Sequence, residues 1–204
     1  MPKPKVIDPT KSITPNEWET TAERWLKSLP LASFRNEPKM QGRIKVKGGT
    51  PDYTALLAGK AHLIECKLET STAFDLGQLT APTTISAETG KKTKEKHGIS
   101  SAQADTLTAW ERHGGYGWVA ARLEVPALAP RGKQASLLDT GRKEQVIQRI
   151  VPWVHWRRLL LNGMRSIPYT EFDLYGFPLR GPDDLLRALQ SVSRLDATTP
   201  TGLQ

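Results

Sequence analysis

The sequence predicts an α/β fold, and three observations predict it. Thr14 to Leu29 places apolar residues at helical spacing. Tyr53 to Leu68 alternates in the manner of two short strands around Gly59-Lys60. A second helical segment, Ala102 to His113, is stopped by Gly114-Gly115 and followed by the strand-like run Tyr116 to Leu123. The order is α-β-β-α-β, and one earlier strand makes it α-β-β-β-α-β.

Residues 1–13 are rich in Pro and Lys and are expected to form a tail. The first helix then has a clear start. Thr14 is placed to cap it, Pro15 to be its first residue and Glu17 to complete a capping box. Trp18, Ala22, Trp25, Leu26 and Leu29 share one face, Glu19 and Glu23 flank that stripe, and Pro30 marks the end. Glu19 lies nearer the stripe than Glu23. Arg43 to Lys47 alternates, and reads as the earlier strand with Arg43, Lys45 and Lys47 on a basic face. A solvated edge strand is the alternative, because edge strands carry Lys against aggregation.

In the hairpin, side chains alternate between faces. His62, Ile64, Cys66 and Leu68 therefore share one side, and Leu63, Glu65, Lys67 and Glu69 the other. The first side suits a core, and the second sets a carboxylate beside an ammonium. Asp52 follows Pro51 just ahead of the first strand, where it can reach the same surface. A hairpin with a solvated charged face is the competing reading.

Thr70 to Gly98 is polar and carries Lys91, Lys92, Lys94 and Lys96, which reads as a phosphate-contacting loop or as an insertion that touches nothing. Ser100 or Ser101 caps the second helix, with Ala104, Leu107 and Trp110 facing inward. Glu124 to Gln145 reads as a linker, Val146 to Val151 as a strand, Val154 to Leu161 as a short helix and Asp183 to Leu195 as an amphipathic helix begun at Pro182. Tyr169, Phe172, Tyr175 and Phe177 suit a satellite core better than a base-stacking surface. These boundaries give a tail (1–13), a core (14–123) and a linker with a C-terminal extension (124–204).

The chain has 204 residues, 38% hydrophobic, and a net charge of +8. One domain is the default at this length. The charge suits a polyanion such as DNA, through contacts that do not read sequence. The single cysteine, Cys66, excludes an internal disulfide and is expected to point into the core. There is no apolar leader and no run long enough to span a membrane, so a cytoplasmic protein is expected, or one inside a host cell if its source is viral. One Cys and four scattered His make no structural zinc site.

Pro51-Asp52, a hairpin, then Glu65-x-Lys67 resembles the signature of the PD-(D/E)xK nuclease superfamily. Within it, Ala22-Glu23-Arg24, Gln103, Leu107 and the Gly114-Gly115 turn resemble the Holliday-junction resolvases. The resemblance runs from Glu23 to Leu123 and implies a restriction-endonuclease-like core. It implies an endonuclease on DNA, branched DNA foremost, working as a two-fold dimer because two opposed strands are cut. Restriction-type, repair-type and non-catalytic DNA-binding proteins are the alternatives. Asp52, Glu65, the Cys66 carbonyl and Glu23 would hold Mg²⁺, or Mn²⁺ in its place, with Lys67 and Gln103 placing water or phosphate. Mg²⁺ takes one or two carboxylates and keeps waters, and it lowers the pKa of a bound water, which explains these residue types.

Overall fold

Helix α1 (Pro15–Ser28) starts where the capping box places it. Thr14 Oγ1 accepts from the Glu17 N–H, and the Glu17 carboxylate accepts from the Thr14 N–H at 2.7 Å. The computed structural model describes residues 12–36, 40–41, 44–45, 50–79, 98–127 and 144–197, with the backbone alone at 40–41, 44–45 and 193–197. The chain continues through β1 (Ala32–Arg35), the two-residue strands β2 (Met40–Gln41) and β3 (Ile44–Lys45), β4 (Tyr53–Leu57), β5 (Lys60–Thr70) and β6 (Ala73–Asp75). Then come α2 (Ser101–Arg112), β7 (Tyr116–Val125), β8 (Gln145–Pro152) and α3 (Trp153–Leu161). The last elements are β9 (Ser166–Pro168), α4 (Tyr169–Phe172), β10 (Phe177–Pro178) and α5 (Pro182–Ala197).

The fold class is α/β, around one mixed six-stranded sheet in the order β1-β4-β5-β7-β8-β10. β1, β4 and β5 form an antiparallel meander, and α2 carries the chain across so that β7 lies parallel to β5. The expected α-β-β-β-α-β order is therefore present. Its earliest sheet strand is not Arg43 to Lys47, however. Ala32–Arg35 pairs with β4, while Ile44–Lys45 pairs only with Met40–Gln41 in a separate ribbon. Arg43, Val46 and Lys47 lie outside the described residues, as does the Lys45 side chain.

The hairpin turn also sits one residue earlier than expected. Leu57 pairs with Lys60, leaving Ala58-Gly59 as the two-residue loop, at φ 49° and 73°. Two positive φ values in succession match the right-handed twist of the flanking strands.

Helices cover both faces of the sheet. Trp18, Ala22 and Leu26 of α1 and Leu185, Ala188 and Leu189 of α5 pack on Ile64, Cys66, Trp118 and Ala120. Trp18 donates its indole N–H to the Ala120 carbonyl at 3.0 Å, which fixes α1 against β7. On the opposite face Ala104 and Leu107 of α2 and Trp153, Trp156 and Leu160 of α3 pack on Leu63, Val119, Ala121 and Leu123. β7 is buried on both sides, so it reads as a near-continuous apolar run.

Residues beyond Val125 thus complete the same sheet and both of its layers, through β8, α3 and α5. Phe172 is fully buried and stacks on Phe74 at 5.1 Å, and Phe177 packs near Trp118. Both belong to packing rather than to a base-stacking surface.

Candidate active site

The site arises where the hairpin strands part. β4 stops pairing at Tyr53, opposite Ile64, while β5 runs on to Thr70 against β7 alone. The backbone groups of Cys66 on the β4 side therefore lose their ladder partner. Asp52, one residue before β4, takes the place of that strand: its Oδ2 accepts from the Cys66 N–H at 2.7 Å. The N–H and C=O of a strand residue point to the same edge, so the Cys66 carbonyl faces the same opening. Asn36 ties down the approach. Its N–H donates to the Asp52 carbonyl at 2.8 Å and its Nδ2 to the Pro51 carbonyl at 2.9 Å.

Glu65 and Lys67 project from β5 on the side that faces α2. The Lys67 Nζ lies 2.9 Å from Glu65 Oε1. Gln103 Nε2 also donates to Glu65 Oε1, and Gln103 Oε1 accepts from the Ser100 N–H at 3.0 Å. The Gln103 amide is thus fixed at both ends, by the helix cap and by Glu65. That arrangement holds Gln103 against Glu65 at the edge of the cleft.

A cleft of about 360 Å³ opens here, lined by Glu19, Asp52, Glu65, Cys66, Lys67, Glu69, Gly98 and Gln103, among others. The structure brings together Asp52, Glu65, Cys66, Lys67 and Gln103. It does not bring Glu23. That carboxylate bonds Lys27 one turn along at 2.6 Å and lies 3.8 Å from Arg35, while Glu19 lines the cleft. At about 100° per residue, Glu19 sits about 40° nearer the buried stripe than Glu23, so it leans over the sheet. Glu69 shares the strand face of Glu65 and also lines the cleft, a role that alternation by itself does not reveal; its Oε2 accepts from the Asp75 N–H at 2.9 Å. Lys91, Lys92, Lys94 and Lys96 lie outside the described residues.

Burial dominates the electrostatics. It pushes the Glu65 carboxyl up to about 8, reinforced by Asp52 and opposed by Lys67. Asp52 rises to about 6 for the same first reason, opposed chiefly by the Cys66 N–H bond. The Cys66 thiol is pushed up by burial, then by the neighbouring carboxylates, which leaves it a core group rather than a nucleophile.

Among the described residues no three His, Cys, Asp or Glu side chains form a ready-made metal cluster. The donors nevertheless fit Mg²⁺, which asks for one or two carboxylates and fills the rest with waters and phosphate oxygens. Asp52 and Glu65 are two such carboxylates that repel one another. Glu65 Oε2 is buried without a hydrogen-bond partner among the described residues, a group whose burial is costly until something meets it.

No known family profile matches the chain, and no curated protein matches it. Among solved structures, one similar chain is Archaeoglobus fulgidus Hjc, a Holliday junction resolvase from an archaeal hyperthermophile. It is 16% identical, with a TM-score of 0.42, over 79% of this chain and 93% of that one. Among the described residues no helix is long and apolar enough to cross a membrane.

Proposed function

We propose that the protein is a divalent-metal-dependent DNA endonuclease of the PD-(D/E)xK type. The observation that carries this reading is the meeting of Asp52, Glu65 and Lys67 at the parted end of the hairpin, with a buried carboxylate oxygen that has no proton donor among the described residues. Asp52, Glu65 and the Cys66 carbonyl would hold the cation, with Glu19 the fourth oxygen donor near it. Once bound, the cation would lower the pKa of a water and stabilise charge on the phosphate.

The chain's own residues have separate tasks. Asp52 keeps its orientation through the Cys66 N–H, so one oxygen stays committed to the backbone and the carboxylate cannot swing away. Glu65 is held by Gln103 and Lys67. Lys67 is 22% exposed, so its ammonium reaches the cleft while staying beside Glu65, where it orients a water or meets a phosphate oxygen. The +8 charge draws the polyanion in.

Branched DNA is the substrate we favour within this reading, on the resemblance of Gln103 and Gly114-Gly115 to resolvases, and a two-fold dimer is the form that would cut two strands. The test compares plasmid, linear duplex and four-way-junction DNA with Mg²⁺ and with chelator, together with the mass by light scattering. Mg²⁺-dependent cleavage that Asp52→Asn abolishes supports the nuclease. Cleavage that ignores chelator or survives Asp52→Asn removes it. A monomer that treats junction and duplex alike removes the branched-DNA reading and leaves the nuclease.

A further inference from the structure

Arg35 ends β1 beside Glu19, which lines the cleft, and has no part in the core. It pairs across the sheet with Tyr53, the residue next to Asp52. Its following residue, Asn36, is bonded to the Asp52 and Pro51 carbonyls, and accepts from Thr54 Oγ1 at 3.0 Å. The backbone under Arg35 is therefore locked in register with the Asp52 turn. Its guanidinium donates from Nη2 to Glu19 Oε2 at 2.7 Å, and Nη1 lies 3.8 Å from Glu23 Oε2. The side chain is 45% exposed, so donors of the five-donor fork remain open to solvent.

Glu19 is thus shared by two claims. It lines the cleft with Asp52 and Glu65, and it is neutralised from outside by Arg35. A cation held at Asp52 and Glu65 would compete with Arg35 for the same carboxylate. We infer that Arg35 is a hand-over residue: it is the counter-ion of Glu19 in the free protein and becomes a phosphate-binding residue for the DNA backbone when a divalent cation engages Glu19.

This inference rests on the nuclease reading and deepens it, because it couples cation binding to DNA binding through one side chain. A planar fork that fits a carboxylate in two-point geometry fits a phosphate equally well. The coupling also follows from charge. Before the cation arrives, Arg35 is tied to an anion and offers DNA little. Afterwards its charge is released beside Glu19, where it adds to that of the lining cation Lys67.

The experiment measures duplex-DNA affinity with and without Ca²⁺, which suppresses cleavage, for wild type, Arg35→Ala and Arg35→Lys. Cation affinity of the free protein is measured separately by calorimetry. Wild type should gain about tenfold in DNA affinity from the cation, and Arg35→Ala should lose most of that gain. Its salt slope with cation should fall by about 0.9, the value of one phosphate on duplex DNA. Cation affinity of the free Arg35→Ala protein should be several-fold tighter, since the charge that competes for Glu19 is gone. Arg35→Lys should keep part of the gain. Inorganic phosphate at millimolar concentration should not reproduce the coupling if the DNA backbone is the ligand, and coupling to free phosphate alone would overturn the DNA assignment.

The proposal is overturned if Arg35→Ala keeps the wild-type cation gain, or loses DNA affinity equally with and without cation. Unchanged cation binding in the free variant would also overturn it, by showing that Arg35 and the cation do not compete for Glu19, and weakened binding would do so by making Arg35 a support for Glu19. A wild type that binds no divalent cation and cuts no DNA would instead bring down the nuclease reading itself. These outcomes are distinct from one another.

Discussion

Replacing Glu65 by Gln should stabilise the metal-free protein, increasingly so at alkaline pH. Glu65 is 2% exposed, and its folded-state carboxyl titrates near 8, against 4.5 for the ordinary group. Between these values the folded protein binds a proton that the unfolded chain has released, so stability falls as pH rises through that window. At about 1.36 kcal/mol per tenfold change in proton affinity, the full cost of the charged form is about 5 kcal/mol. By the same relation it is about 1 kcal/mol at pH 5 and nearly the full cost at pH 8.5. Gln removes the charge and keeps the shape. Its amide oxygen still accepts from Gln103, and Lys67, partly exposed, is left to solvent. For a chain of this size roughly 2–4 °C accompanies each kcal/mol. Thermal melts should therefore put Glu65→Gln about 5 °C or more above wild type at pH 8.5 and close to it at pH 5. Added Mg²⁺ should raise the wild-type midpoint at pH 8.5 and leave the variant unmoved. A variant no more stable than wild type at pH 8.5, or one with a pH-independent offset, would refute the reasoning.

Three further expectations concern other parts of the molecule. Buried His62 accepts from the Trp118 indole N–H at 3.0 Å, and burial holds its pKa down near 4, so stability should be lost as pH falls from about 6.5 towards 4. His62→Phe should flatten that acid limb in melts across this range, while costing about 1–2 kcal/mol at pH 7 for the stranded indole N–H. Gly98→Ala should lower the midpoint by several degrees: at φ +93° an added Cβ would sit 2.4 Å from the Asp75 carbonyl oxygen and 2.5 Å from the Gly77 nitrogen, both backbone, and the strain alone is about 1–3 kcal/mol. Replacing Lys91, Lys92, Lys94 and Lys96 by Ala should reduce the salt slope of DNA binding by up to about 0.9 for each lysine that meets a phosphate, and an unchanged slope would assign that segment to solvent.

The elements legible in the sequence are those with a strong period or a chemical stop. α1 has its capping box and apolar stripe, and β7 its apolar run. β1 is not legible. Its four residues Ala-Ser-Phe-Arg are exposed or half-exposed, with Phe34 54% open, because an edge strand with little cover has no inward pattern to show. Arg43 to Lys47 alternates better, although alternation alone does not say which sheet a strand joins. The turn is displaced from its expected place because Ala58 adopts positive φ, a conformation uncommon for residues other than glycine. Gln103 is visible as a residue, but its double duty is not. The Ser100-x-x-Gln103 spacing is itself a capping box, and that signal shows the amide tied to the helix start.

The site depends on which strand stops first. Had β4 continued beyond Tyr53, the Cys66 N–H and carbonyl would be spent on the ladder and Asp52 would lie in the sheet. Because it stops, one strand edge is left open on a strand that β7 still holds rigid from the other side. The open edge needs a hydrogen-bond acceptor, and Asp52 supplies it, which places a second carboxylate beside Glu65 in a poorly hydrated cleft. Glu19 and Glu69 add to the negative charge, against Lys67 alone among the cations lining that cleft in the described residues. These acidic groups oppose a phosphate backbone locally, while the +8 of the whole chain attracts it from a distance. The two opposing charges can serve one substrate only if something reverses the sign locally. On the proposed nuclease reading a divalent cation at Asp52 and Glu65 would do so, and attraction over the surface and admission to the cleft would then be separate steps, the first governed by salt and the second by metal.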